Sequence, residues 1–210
     1  MDNQELIAKH NEPFKSILIF GPPGSGKGTL GKFLSTAGGH CHLSSGDIFR
    51  GLSPDSPGGI LFQEYAGKGL LVPDNVTISI WHHYVWGLIA TNKYFPSKQY
   101  LLLDGLPRNV EQARQMESHI DIAHIIVLKI EDEEKLIQRL TRRALIEKRS
   151  DDTNPEVLKT RFKVYNETTE KLLDHYPKDL ISTFNADQKP LEVLRDVLVG
   201  FSDVANLSDL

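Results

Sequence analysis

An α/β fold, with helices covering both faces of a parallel sheet, is predicted for this chain, and three features of the sequence carry the prediction. Short, strongly apolar runs recur along the 210 residues, amphipathic stretches of helical length separate them, and a glycine-rich loop joins the first run to the first helical stretch. Strands that alternate with helices imply right-handed crossovers and a sheet buried on both sides.

The elements follow in order. Ser-Ile-Leu-Ile-Phe at 16–20, bounded by Lys15 and the pair Gly21-Pro22, is too short for a helix and reads as a buried strand. A helix is expected over 28–37 and a short strand over 40–44. The stretch 51–73 is turn-rich, with Ser53-Pro54 and Ser56-Pro57-Gly58-Gly59, and looks inserted into the alternating rhythm. A helix over 76–90 leads to an apolar strand at 100–103, a helix over 110–119 to a strand at 125–128, and a helix over 131–148 to another over 155–173. A weaker strand at 180–184 and a helix over 189–199 complete the pattern. No internal repeat or linker divides the chain into independent domains.

A net charge of −4 argues against sequence-independent nucleic-acid binding, which needs a basic face to neutralise phosphates, but is compatible with a local basic pocket. The single cysteine, Cys41, excludes an internal disulfide framework and a multi-cysteine zinc site, and it fits a reducing compartment. Residues 1–10 carry Asp2 and Glu5 and lack an apolar stretch of signal-peptide length, and no stretch reaches the roughly 18 apolar residues of a membrane span. A cytoplasmic protein with no membrane partner is expected.

The loop Gly21-Pro-Pro-Gly24-Ser25-Gly26-Lys27-Gly28-Thr29 stands between a strand and a helix, as a phosphate-binding loop requires. Glycines let successive backbone N–H groups face one concavity, the helix N-terminus adds partial positive charge, and Lys27 supplies a cation for the outer phosphates. A merely connecting turn would not need the lysine in register. The loop departs from the general G-x-x-x-x-G-K-[ST] form, because Gly28 follows the lysine and Thr29 comes one place later.

Four ordered motifs then carry a family resemblance: the Gly-Lys-Gly-Thr ending, Ser44-Ser45-Gly46-Asp47-Ile48-Phe49-Arg50, Leu103-Asp104-Gly105-Leu106-Pro107-Arg108, and Gln112. Together they resemble the nucleoside monophosphate kinases, and among them the short-lid adenylate kinases most closely, over about 15–200. The resemblance implies a three-layer P-loop NTPase fold with a five-stranded parallel sheet. It divides the single domain into a core at 13–44, 74–140 and 153–200, a monophosphate-binding insert at 45–73 and a lid at 141–152. The implied reaction is ATP + AMP ⇌ 2 ADP with Mg²⁺, in a monomer.

The resemblance also assigns roles. Gly24, Ser25, Gly26, Lys27, Gly28, Thr29, Arg139, Arg143 and Lys189 would bind ATP; Ser45, Arg50, Val72, Gly105, Arg108, Gln112, Arg149 and Arg161 would bind AMP. Lys27, Arg108, Arg143, Arg149 and Arg161 would be catalytic, because a loose phosphoryl-transfer transition state spreads its charge over oxygens that many cations must meet. A guanidinium bonds two oxygens at once, which suits the acceptor phosphate. Arg139 and Arg143 lie one helical turn apart on a shared face. Arg139 would pack on the ATP base, Asp151 and Asp152 would hold the arginines when the lid closes, and Arg142 receives no role. From its charges alone the run 131–149 would be only a solvated helix.

Asp104 and Asp47 would orient Mg²⁺, chiefly through water, since magnesium keeps several waters and takes few protein ligands. Asp47 also suits a helix N-cap. The lid stretch 144–148 contains no glycine, 153–155 is one residue longer than the family pattern, and Leu106 replaces the usual phenylalanine. The short lid and lone cysteine exclude the zinc-bearing long-lid type.

His40 and His42 share a strand face with no third ligand nearby, so an ordinary strand pair is expected rather than a metal site. Trp81, His82, His83, Tyr84 and Trp86 fall on the helix after the insert, where core packing is expected. UMP/CMP kinase is the runner-up, favoured slightly by Asn109. Gln112 argues against it, because one side-chain amide can accept from adenine's exocyclic amine and donate to a ring nitrogen. A GTPase would need Asn-Lys-x-Asp, whereas Asn92-Lys93 is followed by Tyr94-Phe95. A non-catalytic nucleotide-binding relative would carry the same motifs.

Overall fold

The structure, a computed structural model, describes residues 12–147, 149 and 152–202. Five parallel strands form one sheet: β1 (Phe14–Phe20), β2 (Cys41–Ser44), β3 (Leu101–Asp104), β4 (Ile120–Lys129) and β5 (Ile181–Asn185), in the order β2-β3-β1-β4-β5. The helices are α1 (Lys27–Gly38), α2 (Ser45–Arg50), α3 (Pro57–Ala66), α4 (Asp74–Ala90), α5 (Val110–Met116), α6 (Glu133–Glu147), α7 (Pro155–Val164) and α8 (Pro190–Ser202). Among the described residues no helix is long and apolar enough to cross a membrane.

Alternation along the strands explains why they read as unbroken apolar runs. Leu18 and Phe20 of β1, Leu101 and Leu103 of β3, and Ile125 and Val127 of β4 enter a core shared with Ile78, Trp81 and Val85 of α4 and Met116 of α5. Ile17, Ile19, Leu102, Ile126 and Leu128 enter the other, with Leu30 of α1, Leu136 and Leu140 of α6, Phe162 of α7 and Val197 of α8. Both faces are therefore buried. Truncating a wholly buried residue such as Leu18 would cost about 2–5 kcal/mol.

All five expected strands form, and four differences elsewhere have physical reasons. β4 begins at Ile120, because polar Asp121 and His124 break the apolar pattern while the backbone still pairs with β1. The turn-rich insert contains α3, which Pro57 opens after Ser56 caps it by accepting from the Gly59 N–H at 3.1 Å; Gly58 and Gly59 mask the helical pattern. α2 is capped by Ser44, whose Oγ accepts from the Asp47 N–H, so Asp47 stands in the first turn rather than at the cap. The helix expected over 155–173 is interrupted by a π turn at Tyr165–Thr169 before a short turn at Glu170–Leu172. Such turns recur where a helix must aim side chains at a site, and here Thr169 Oγ1 donates to the Arg108 carbonyl at 2.9 Å.

Trp81 is core and Trp86 packs edge-on against Phe14 at 6.1 Å, whereas Tyr84 of the same helix is exposed. His42 lies against α1 with its Nε2 3.9 Å from Asp104 Oδ2, and His40 meets Tyr100 edge-on.

Candidate active site

The sheet places its carboxyl ends at the one position where chemistry is expected in a doubly wound fold: β1 is central, with β3 on one side and β4 on the other. A cleft of about 530 Å³ opens there, lined by the loop after β1, the ends of β2 and β3, α6, and the loop after β5. A second cavity of about 80 Å³ adjoins it, between α2, α3 and the segment after β3.

The loop is built from glycine freedom. Gly21, Gly24 and Gly26 take φ of 151°, 85° and 97°, and a Cβ on Gly24 would lie 2.9 Å from the Leu136 carbonyl oxygen. No side chain caps α1, so its first-turn N–H groups supply the partial positive charge of a helix start to the cleft. The Lys27 ammonium donates to the Gly21 and Pro22 carbonyls at 2.8 and 3.0 Å. Burial lowers Lys27 to about 8; Asp104 draws it back up, while Arg108, Arg143 and Arg161 push it further down. The departure at Gly28 also has a reason. A Cβ there would touch Asp104 Oδ2 at 3.4 Å, so a longer side chain would press on the carboxylate that ends β3.

The arginines converge from α2, α6, α7 and the segments that follow β3 and α6. Arg108 donates through Nε to the Gly105 carbonyl at 2.9 Å and through Nη2 to Ser45 Oγ at 3.1 Å, while Ser45 donates to the same carbonyl at 2.8 Å. Asp152, with its side chain fully buried, receives Arg143 Nη2 at 2.6 Å on one oxygen and Arg161 Nη1 on the other. Asp47 Oδ1 receives Arg50 at 2.6 Å and Arg149 at 3.3 Å, and Arg149 also meets Glu147 at 2.5 Å. Burial pushes the Asp47 carboxyl up, but its bond to Arg50 and the charges of Arg50, Arg149 and Lys32 outweigh this and hold it below its usual value. Arg139 donates to the Ala186 and Gln188 carbonyls, which fixes its guanidinium on the loop after β5.

Every residue expected to bind ATP lines the larger cleft except Lys189, which is exposed and whose backbone N–H bonds Glu192; its neighbours Ala186, Gln188 and Pro190 line the cleft. Of the residues expected to bind AMP, Ser45, Arg50, Gly105, Arg108 and Arg161 line both cavities. Val72 and Gln112 line the smaller one, and Arg149 the larger. Asp47 and Asp104 line the larger cleft, with Asp104 the one that lies against α1. Asp152 holds arginines as expected, whereas Asp151 lies outside the described residues. Sequence reasoning assigns no role to Arg142, Tyr165 or Thr169, which line the cleft, or to Asp74, which bonds Gln112. The three-residue spacing of Arg139 and Arg142 was a usable signal for the first of these.

Asp152 offers a direct test of this ion network. Asp152→Ala leaves Arg143 and Arg161 facing one another without their anion, at a cost of about 3 kcal/mol. The thermal midpoint is expected to fall by about 6–12 °C in a chain of this size, read by circular dichroism; an unchanged midpoint would show that the arginines find other anions.

Comparison with known proteins agrees with this geometry. The sequence profile of the adenylate kinase family matches residues 19–181. The adenylate kinase of Parabacteroides distasonis is 35% identical over 167 residues, covering 77% of this chain and 83% of the relative. That of Flavobacterium psychrophilum is 36% identical over 77% and 84% of the two chains. That of Desulforamulus reducens is 34% identical over 88% of this chain and 99% of its own. With the profile spanning most of the sheet and its phosphate loop, the chain belongs to the adenylate kinase family.

Proposed function

We propose that this protein transfers the terminal phosphoryl group of ATP reversibly to AMP, giving two ADP. The observation that carries the reading is the position of Arg108 and Arg161: both line the large cleft beside the phosphate loop and the small cavity beside Gln112, where two phosphate groups would meet. In the reaction an oxygen of the AMP phosphate bonds the γ-phosphorus of ATP while the bond from that phosphorus to the β,γ-bridging oxygen breaks. The loop N–H groups and Lys27 hold the β- and γ-phosphates. Arg50 and Arg108 grip the acceptor phosphate, and Arg143, Arg149 and Arg161 neutralise the transferring oxygens. Arg139, fixed on the Ala186 carbonyl, offers its planar face to the donor base, with Gln188 in the role expected of Lys189.

The insert, 45–73, and the lid, 141–152, are the parts that move against the core in this reading. Asp47, bonded to Arg50 of the insert and Arg149 of the lid, supports their meeting over the cleft. The donor set fits magnesium. Asp104 would supply a hard oxygen beside the phosphate loop, and Asp47 Oδ2 would meet a hydrated ion. When bound with the nucleotide, magnesium supplies charge neutralisation at the phosphate oxygens. A monomer follows from the family resemblance, and a cytoplasmic setting is supported by the single cysteine.

A coupled assay with ATP and each of AMP, GMP, CMP and UMP tests the reading; AMP is the expected acceptor, and preference for UMP or CMP would replace it with the pyrimidine enzyme. Two adenosines joined through five phosphates are expected to bind far more tightly than ATP, since both sites are filled for a single association cost. Calorimetry showing equal affinities would mean a single nucleotide site.

A further inference from the structure

The smaller cavity holds an amide whose orientation is set by two neighbours of opposite kind. Gln112 is buried, its Oε1 accepting from the Arg108 backbone N–H at 2.8 Å and its Nε2 donating to Asp74 Oδ1 at 2.7 Å. The same Asp74 oxygen accepts from Asn109 Nδ2 at 3.0 Å, and Asn109 in turn caps α5 by accepting from the Gln112 N–H at 2.8 Å. A backbone N–H only donates and a carboxylate only accepts. Turning the Gln112 amide by 180° would set N–H against N–H and oxygen against oxygen, losing both bonds.

We propose that Asp74 is a positioning residue that fixes the direction of the Gln112 amide and so makes the acceptor pocket select adenine over hypoxanthine. The proposal rests on Gln112 reading the acceptor base. A primary amide carries two N–H groups and two oxygen lone pairs, so one of each remains for a ligand after Arg108 and Asp74 are served. Adenine presents a donor at its 6-amino group and an acceptor at N1; hypoxanthine presents an acceptor at its 6-oxo group and a donor at N1. The two bases therefore ask for opposite directions of the amide. Because the arginines fix the phosphate of the acceptor, the base cannot turn over to compensate. Asp74 begins α4, the helix that leaves the insert, so the segment carrying the acceptor pocket also carries the residue that orients its base reader.

The test compares kcat/KM for AMP and for IMP at saturating ATP. Asp74→Ala is expected to lower the AMP-to-IMP ratio by about tenfold or more, mainly through KM, with KM for ATP within about twofold of wild type. Asp74→Asn keeps an Oδ1 acceptor for both N–H groups and is expected to hold the ratio within about threefold of wild type. In a Gln112→Ala background the loss of Asp74 should change the ratio no further, since the two residues act as a unit. Asp74 also places a negative charge at the start of α4. Were that its whole role, Asp74→Asn and Asp74→Ala would lose stability alike and leave the ratio unchanged, which overturns the proposal.

Asp74→Ser, which suits a helix start but is too short to reach Gln112, replaces Asp74→Ala should the latter not fold. Side-chain amide NMR of the protein without nucleotide reads the bond itself. The Gln112 amide protons should lie downfield and exchange slowly in the wild type and lose both properties in Asp74→Ala, and unchanged resonances also overturn the proposal. If wild type prefers a pyrimidine monophosphate to AMP, the acceptor reading falls and takes this proposal with it. If AMP is the acceptor and the ratio ignores Asp74, only the proposal falls.

Discussion

Replacing Lys27 with methionine is expected to lower phosphoryl transfer by at least about 10²–10³-fold, the loss typical when one preorganised charge stabiliser is removed from a transition state. The fold should survive. Among the described residues the ammonium bonds only the Gly21 and Pro22 carbonyls of its own loop, and burial holds it at about 8, which means that the folded protein disfavours the charge. The thermal midpoint at pH 7 is therefore expected at or above the wild-type value. A folded variant with undiminished turnover would remove the phosphate-loop assignment.

The lowered value of Lys27 also gives the pH dependence a sign. Between about 8 and its ordinary 10.5 the unfolded chain carries the proton and the folded protein does not, so this group adds stability to the nucleotide-free protein as pH rises through that window. Binding runs the other way. A phosphate requires the charged form, so above pH 8 binding must recruit a proton, and ATP affinity is expected to fall by up to about tenfold per pH unit. Lys27→Met should show a flat profile there, which isothermal titration at pH 7.5, 8.5 and 9.5 would read.

The second large effect is expected from Arg108→Ala. This guanidinium bonds Ser45 Oγ and the Gly105 carbonyl and faces both cavities, so in the proposed reading its loss removes the acceptor grip and leaves part of the network that positions it without a donor. Truncating a hydrogen-bonded charge in such a setting costs about 2–5 kcal/mol, or roughly 30- to 5,000-fold in kcat/KM for AMP. The Kd for ATP should change by less than about threefold, because the donor phosphates rest on the loop and Lys27. Equal losses for both nucleotides would contradict the assignment of Arg108 to the acceptor.

Much of the fold was legible because its signals are local. Ile17, Leu18 and Ile19 are buried on alternating sides of one sheet, so the run 17–20 had to be apolar throughout, and the same constraint exposed β3 and the second half of β4. The phosphate loop was legible for a related reason: Gly24 and Gly26 adopt left-handed backbone that other residues resist, and Lys27 sits in register after them. What escaped was also physical. α3 was hidden by Gly58 and Gly59, and the π turn at Tyr165–Thr169 has no periodicity to mark it.

The sequence by itself determined where the strands and the phosphate loop lie, and its family resemblance marked Arg50, Arg108, Gln112, Arg143, Arg149 and Arg161 as a set. Only the tertiary structure decided how they meet. Asp47 and Arg149 are 102 residues apart in sequence, Arg108 and Ser45 63, and Gln112 and Asp74 38. Local periodicities of 2.0 and 3.6 residues place a side chain on a face and carry no information across such separations. The sheet order supplies it, by setting the ends of β2 and β3 side by side, with Ser44 paired to Asp104, so that Ser45 and Gly105 follow as neighbours. That is why Lys189, assigned to ATP by the resemblance, can face solvent, while Asp74, marked by no motif, came to hold the amide that lines the smaller cavity.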